Sequence, residues 1–186
     1  MTSTGKSGAI LSRFGNFKRD CRGVSAVEFA MILPLMLTIY LGGVEVGDGF
    51  AIDVKVTEVA RAAADLTTQF VSIDNSQMSS IFNLSEQIVA PYSLANIVVT
   101  VSEVTTDSQG NATVTWSDSL NGTARAVGQT ITLPTSLQAP NISLILGEVS
   151  YSYTPNLGYT ITGTITLSDS YYMYPRLSNS VTRVNS

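Results

Sequence analysis

The feature that most constrains this chain is an apolar run from Val24 to Val46, 23 residues long. As a helix it would span about 34 Å at about 1.5 Å per residue. The hydrocarbon core of a bilayer is about 30 Å thick. No other segment approaches that length, so the sequence predicts one transmembrane helix.

Charge is distributed unevenly on the two sides of this run. Residues 1–23 carry five basic residues and one acidic residue, a net charge of +4, whereas the rest carries five basic and thirteen acidic residues, a net charge of −8. Basic residues flank the cytoplasmic end of membrane helices. A basic tail can also indicate nucleic-acid binding, but its place directly before an apolar run favours the lipid bilayer as partner and no nucleic acid. The N-terminus is therefore expected in the cytoplasm and the C-terminal part in the periplasm.

A secretory signal peptide is a competing interpretation of the same run. Its apolar region is usually about 7–15 residues long and ends in an A-x-A-like site. The run here is longer, and residues 38–50 contain no such site. The sequence favours a retained membrane helix.

Glu28 is the residue that an ordinary anchor would not contain, because an intramembrane carboxylate is costly and suggests a function. Cleavage after Gly23 would make Val24 the new N-terminus and Glu28 the fifth residue. Glu28 of one subunit can then neutralise the amine of a neighbour during lateral assembly. The segment from Gly23 to Phe29 resembles the type IV prepilin signal: glycine, four residues, glutamate and an aromatic residue, after a basic leader. A tolerated interfacial glutamate is the alternative.

Within that group the chain resembles the TadE/TadG-like pseudopilins of tight-adherence pili. The resemblance covers about residues 20–70. It rests on these residues: Gly23, Glu28, Phe29, Ala30, Pro34, the segment 42–47 with Gly42, Val44, Glu45 and Gly47, and Ala60 to Ala63 around Arg61. Asp48 stands where the family often has a basic residue. Weaker similarities lie at Tyr151–Pro155 and near Tyr174–Arg176.

This resemblance implies a minor pilin-like structural or assembly component of a tight-adherence pilus. It implies processing by prepilin peptidase between Gly23 and Val24, and charge pairing through Glu28 beside Phe29. The implied partners are the peptidase, other pilins or pseudopilins and the inner-membrane assembly platform. The expected location is the bacterial inner membrane, with possible incorporation into the extracellular pilus. The alternative is an uncleaved, single-pass envelope protein with a β-rich head for binding or adhesion.

Two further features of the apolar helix have structural consequences. Pro34 removes one helical hydrogen bond and predicts a kink. Gly42, Gly43, Gly47 and Gly49 form either a hinge between anchor and outer part or a surface for close helix packing. Glu45 and Asp48 are expected to be solvated at the outer interface.

Helical periodicity continues beyond the membrane. Apolar residues recur at spacings of four and three, which predicts a helix packed mainly on the protein's own sheet: Ile52, Val56, Val59, Ala63, Leu66 and Phe70. A second helix is predicted over about 76–90, capped by Asn75 or Ser76 and ended by Pro91.

Alternating patterns and turn residues then predict strands at 97–101, 112–116, 123–133, 144–153 and 159–168. The expected fold is α+β, with one long N-terminal pilin-like helix on a C-terminal antiparallel sheet. The expected domains are a leader (1–23), a transmembrane helix (24–47), a helical region (48–91) and a β-rich head (92–186).

The residue inventory argues against an enzyme. There is no histidine, and Cys21 is the single cysteine, so histidine-dependent triads and cysteine-based zinc sites are excluded. No catalytic residue, metal or cofactor is expected. Asp107 and Asp118 are interpreted as turn residues rather than Ca²⁺ ligands. A group of tyrosines is interpreted as core rather than as an adhesive surface: Tyr151, Tyr153, Tyr159, Tyr171, Tyr172 and Tyr174.

Overall fold

The computed structural model describes residues 22–155 and 163–184. The basic leader up to Cys21, Tyr159 and the first part of the strand predicted over 159–168 lie outside the described residues. The chain divides between Val44 and Glu45 into two compact units. The fold is α+β, as predicted, with one long apolar helix followed by an antiparallel sheet.

Helix α1 spans Arg22–Thr68 and contains Pro34. Thr38 Oγ1 donates a hydrogen bond to the Pro34 carbonyl oxygen at 2.9 Å. A short strand β1, Ser72–Ile73, leads into helix α2, Asn75–Val89. The predicted cap of α2 is wrong by one or two residues, because Asp74 is the N-cap: its carboxylate accepts from the Gln77 amide at 2.8 Å, and the Gln77 side chain accepts from the Asp74 amide. Such a capping box satisfies two backbone donors at the helix start.

Five strands form the main sheet in the order β4-β3-β2-β5-β6. Their bounds are β2 Ile97–Thr106, β3 Ala112–Leu120, β4 Thr130–Ile131, β5 Ser143–Tyr153 and β6 Ile165–Met173. A seventh strand, β7 Thr182–Arg183, pairs in parallel with β1. The strand predicted over 123–133 is reduced to Thr130–Ile131. Of the strand predicted over 159–168, residues 165–168 lie in β6, which continues to Met173. Turn and polar residues between 121 and 129 leave little for an apolar face there.

The core lies between one face of this sheet and the two helices. Ile52, Val56, Val59 and Ala63 of α1 are buried there, with Val99 of β2 among their partners. The predicted packing of the helical stripe on the protein's own sheet is confirmed. Gly147 of β5 makes the approach close, since an added Cβ would lie 2.5 Å from the Ala60 carbonyl oxygen.

A smaller cluster covers part of the opposite face, where Leu144 and Leu146 pack with Val104, Ala112 and Leu133. Tyr151 and Tyr153 are core residues, as predicted, whereas Tyr174 is 53% exposed. Tyr171 and Tyr172 are partly buried: Tyr171 packs against the main core under the helices, and Tyr172 packs against the smaller cluster on the opposite face.

The C-terminal segment is held on the sheet by buried polar groups. The Glu103 carboxylate accepts from Ser143 Oγ at 2.7 Å and from the Val181 amide at 2.8 Å. Trp116 Nε1 donates to the Val181 carbonyl oxygen at 2.7 Å. A buried carboxylate with two donors is compensated, so Glu103 has a structural explanation.

Candidate functional site

The start of α1 carries the residues predicted for processing. Gly23 and Val24 lie in its first turn, and Val24 is 60% exposed. An added Cβ at Gly23 would meet no atom within 4 Å. This peptide is therefore unobstructed by the described part of the chain.

Glu28 and Phe29 lie about one turn further along the same helix. Both side chains are exposed, Phe29 by 60%. Glu28 follows Val24 by four residues, and side chains at that spacing share one helix face. The face that begins at the predicted new N-terminus therefore carries a carboxylate.

From Val24 to Val44, α1 exposes apolar side chains on all sides, with Glu28 as its single charged residue. Met31 is 76% exposed and Ile39 is 67% exposed. Among the described residues, α1 is the one helix long and apolar enough to cross a membrane. This surface is suited to lipid or to apolar neighbours rather than to water.

The four glycines predicted as a hinge lie within α1 in different surroundings. Gly42 is buried. Gly43 and Gly47 have open space at the Cβ position, whereas a Cβ at Gly49 would lie 3.4 Å from the Tyr153 ring. Gly49 is thus a close-packing position, and the hinge stays a prediction for the others.

Glu45 is buried, so the prediction that it is solvated is wrong. It is only 2% exposed, and neither carboxylate oxygen has a hydrogen-bond partner among the described residues. Asp48 is exposed, as predicted. The sequence did contain a signal for Glu45, because the spacing of the buried stripe extends back from Ile52 through Gly49 to Glu45. The glutamate occupies an apolar position of that pattern.

Tyr153 of β5 lies against this part of α1. Its hydroxyl donates to the Glu45 carbonyl oxygen at 3.1 Å. Burial raises the pKa of Tyr153, and the nearby Asp48 and Glu45 carboxylates raise it further. The electrostatic potential around the Tyr153 hydroxyl is therefore negative.

The outer face of the sheet carries a polar groove of about 630 Å³. Arg125 closes one side through a bidentate contact with Glu148, at 2.6 Å from Nε and 2.5 Å from Nη2. That hydrogen-bonded pair raises the pKa of Arg125 above its ordinary value. Thr100, Ser150, Ser168 and Ser170 line the groove together with the carboxylates Glu148 and Asp169.

The described residues contain no group of three or more His, Cys, Asp or Glu side chains placed to hold a metal ion. Asp107 instead forms a turn: its side chain accepts from the Asn111 side chain and from the Asn111 and Gln109 amides. The Asn111 side chain is the main cause of a lowered Asp107 pKa.

Comparison with known families bears directly on α1. Residues 23–65 match the family model described as TadE-like protein. The resemblance to that family is confirmed over this segment. Over these residues the chain is similar to TadE-like proteins, a pilus-associated family that is structural rather than catalytic. No curated protein and no solved structure matches the chain.

Proposed function

We propose that the chain is a minor pilin-like subunit of a tight-adherence pilus that is cleaved after Gly23 and inserted laterally from the inner membrane. The TadE-like match over residues 23–65 carries this proposal. Its N-terminal limit coincides with the glycine at which the prepilin-like signal begins. In this proposal the protein acts as a structural or assembly component and has no enzymatic role.

Access of the peptidase supports the processing step. Within the described residues, no atom lies near Gly23 where a side chain would be, and the residues on its C-terminal side are exposed. A bulky residue at Gly23 would occupy the space from which the peptidase must reach the backbone. Cleavage would then leave Val24 with a free cationic amine.

The apolar surface of residues 24–44 supports lateral insertion. A helix that is apolar all round is suited to a membrane or to burial among other helices. The same surface serves in the bilayer before assembly and against neighbouring subunits afterwards. The basic residues before the helix support a cytoplasmic N-terminus, which is the orientation proposed here for a protein of the inner membrane.

Glu28 supports subunit pairing because it is the one charge in this surface. In an apolar filament core, the carboxylate of one subunit and the Val24 amine of another compensate each other. Removing one member of a buried charge pair costs about 3–5 kcal/mol. Incorporation should then fall by about a hundredfold or more, because about 1.4 kcal/mol corresponds to a factor of ten.

The processing experiment uses Gly23→Leu, with Gly43→Leu as the matched control on the same helix. Mass spectrometry of the full-length protein from its own host should find Val24 at the N-terminus of the wild type and of Gly43→Leu. Gly23→Leu should retain the leader. An intact leader on all wild-type protein in the membrane would instead favour the uncleaved envelope protein.

The assembly experiment uses Glu28→Ala and Glu28→Gln. Both should still be cleaved, because the carboxylate acts after processing, and both should accumulate in the membrane while sheared pili lose this subunit. Glu58→Gln, an exposed glutamate further along α1, controls for the loss of one negative charge. Wild-type incorporation of both Glu28 variants would contradict the assembly role.

The uncleaved envelope protein stays as a second candidate because of the polar groove on the outer sheet face. A groove of about 630 Å³ lined by hydroxyl groups and one ion pair is large enough for a small polar ligand. An unprocessed chain that is absent from pili would favour this binding function.

A further inference from the structure

The outer face of the sheet carries a regular array of small polar side chains. Alternate residues of β2, β5 and β6 face away from the helices, and the pairing register aligns them in rows across the three strands. Two neighbouring rows form the floor of the polar groove: Val98, Ser150 and Ser168 in one, and Thr100, Glu148 and Ser170 in the other. Polar groups on this floor are therefore spaced by about 4.8 Å between strands and by about 7 Å along each strand.

The chain that follows β3 folds back over this face and forms one wall of the groove. Gly122 permits the close approach, because an added Cβ would overlap Val98 Cγ1. Asn121 Nδ2 fixes the start of the wall by donating to two backbone carbonyl oxygens at and just before the start of β2, each at 3.1 Å. Further along, the Arg125 amide donates to Ser117 Oγ at 3.1 Å. The groove is thus preformed, which lowers the entropic cost of binding a ligand.

The charged residues that line the groove favour a neutral ligand. Arg125 and Glu148 neutralise each other in their bidentate contact. Asp169 accepts from Thr57 Oγ1 and from the Ser170 amide, both at 2.7 Å. These one basic and two acidic lining residues leave a net charge of −1, which disfavours anions. Both carboxylates already have donors, so neither needs a cationic ligand to supply one.

Unused hydrogen-bonding capacity in the groove indicates which neutral ligand fits. The hydroxyls of Ser150, Ser168 and Ser170 have no hydrogen bond to another residue in the described part of the chain. The ion pair uses Nε and Nη2 of Arg125, so Nη1 can still donate, and each Glu148 oxygen keeps a lone pair. Hydroxyl groups both donate and accept. A ligand rich in hydroxyl groups therefore complements the floor and the ion pair together.

We propose that this groove binds a neutral oligosaccharide. Sugar hydroxyls bond to the serines of the floor, and the Arg125–Glu148 pair supplies charge-assisted hydrogen bonds, which are stronger than neutral ones. Tyr172 follows Ser170 on the same face of β6 and lies near both members of the pair, so its ring offers an apolar surface to a sugar ring. The inference rests on the groove of the second candidate function, but it does not require that the chain stays uncleaved at Gly23.

The first experiment identifies the ligand. The full-length protein is purified in lauryldimethylamine oxide, a detergent whose headgroup carries no sugar, and is applied to an array of neutral and acidic oligosaccharides. At least one neutral oligosaccharide should bind, and acidic forms of the same sugar should bind less because of the negative charge of the groove. Isothermal titration calorimetry with the strongest neutral ligand then gives its affinity for the wild type and for each variant.

Matched serine substitutions locate the site. Ser150→Leu fills the floor of the groove and should lower the affinity by about tenfold or more, because a hydrogen bond and the space for the ligand are lost. Ser152→Leu is the control, since Ser152 lies two residues further along the same face of β5 and outside the groove; its affinity should equal that of the wild type. Glu148→Gln should lower the affinity by about tenfold, because hydrogen bonds to a charged group are lost.

Two controls separate sugar binding from folding and from processing. Thermal unfolding followed by Trp116 fluorescence should give the same midpoint for both leucine variants, so that a loss of binding is not a loss of fold. Gly23→Leu should bind the oligosaccharide like the wild type whether or not the pilus proposal holds. The oligosaccharide proposal is overturned if no neutral oligosaccharide binds, if acidic forms bind more tightly, if Ser150→Leu and Glu148→Gln both bind like the wild type, or if Ser152→Leu loses as much affinity as Ser150→Leu.

Discussion

Residues 24–44 and 45–68 belong to the same helix, but they differ in how their apolar side chains are exposed or buried. The first part carries apolar side chains on all sides and leaves them exposed; Ile39, for example, is 67% exposed. The second part is apolar mainly along one stripe and buries that stripe against the sheet, with Val59 fully buried. An apolar helix face is thus a reliable sign of burial, but its width indicates what buries it: a broad surface needs lipid or other subunits, whereas a stripe needs only the protein's own sheet.

The two parts should differ most in the loss of unfolding free energy when one isoleucine of each part is truncated to alanine. Ile52→Ala should lower the free energy of unfolding of the head by about 2–5 kcal/mol, because it leaves a cavity in the core. Ile39→Ala should change it by less than about 0.5 kcal/mol. Denaturant unfolding of the full-length protein in detergent micelles, followed by fluorescence of Trp116, measures both, since Trp116 is the single tryptophan and is 7% exposed. Equal losses for the two variants would break the comparison.

A pair of glycine substitutions tests the closeness of packing. Gly147→Ala would place a Cβ 2.5 Å from the Ala60 carbonyl oxygen and 3.2 Å from the Ala64 Cβ, so the head should lose about 1–3 kcal/mol of unfolding free energy through overpacking. Gly43→Ala meets no atom within 4 Å and should leave the head unchanged. The same fluorescence measurement applies, and an unaffected Gly147→Ala would show that α1 lies further from the sheet.

The smallest expected effect on the unfolding free energy concerns two tyrosines: Tyr153, which contacts residues 45–68, and Tyr40, which lies within residues 24–44. Tyr153→Phe should cost about 0.5–1.5 kcal/mol at neutral pH, because it removes the hydrogen bond to the Glu45 carbonyl oxygen. Tyr40→Phe, at a residue that is 67% exposed, should have no effect on the head.

The pH dependence of the same pair sharpens this test. Burial raises the pKa of Tyr153 above its ordinary 10.0. Its contribution to stability is therefore fully present below the pKa of the unfolded chain and is lost as the pH rises through the raised pKa of the folded state. Between about pH 9 and pH 12, Tyr153→Phe should lose less stability than the wild type. A Tyr153→Phe variant that declines as steeply as the wild type would contradict this assignment.

Much of the helical architecture could be read from the sequence because its signals are local. The apolar run, the basic residues before it and the residues of the prepilin-like signal occupy one continuous segment. The stripe from Ile52 to Ala63 also follows from helical spacing alone. The strand between 123 and 133 was overestimated, because pairing with β3 continues only at Thr130 and Ile131 and is a non-local property.

Glu45 shows the limit of such an argument most clearly. The charge of Glu45 and its place at the end of the apolar run predict a solvated carboxylate. Its burial depends on residues about a hundred positions away, including Tyr153, whose hydroxyl contacts the Glu45 backbone.

The sequence by itself therefore determined the long apolar helix, and it predicts the orientation of that helix and a processing signal, because periodicity, charge and residue order are properties of neighbouring residues. The tertiary structure alone decided which carboxylates are compensated and how closely helix and sheet approach. Within the described part of the chain, Glu103 has two donors and Glu45 has none, and Gly147 lets α1 lie against β5. Those outcomes depend on contacts between distant segments, which burial and packing bring together only in the folded chain.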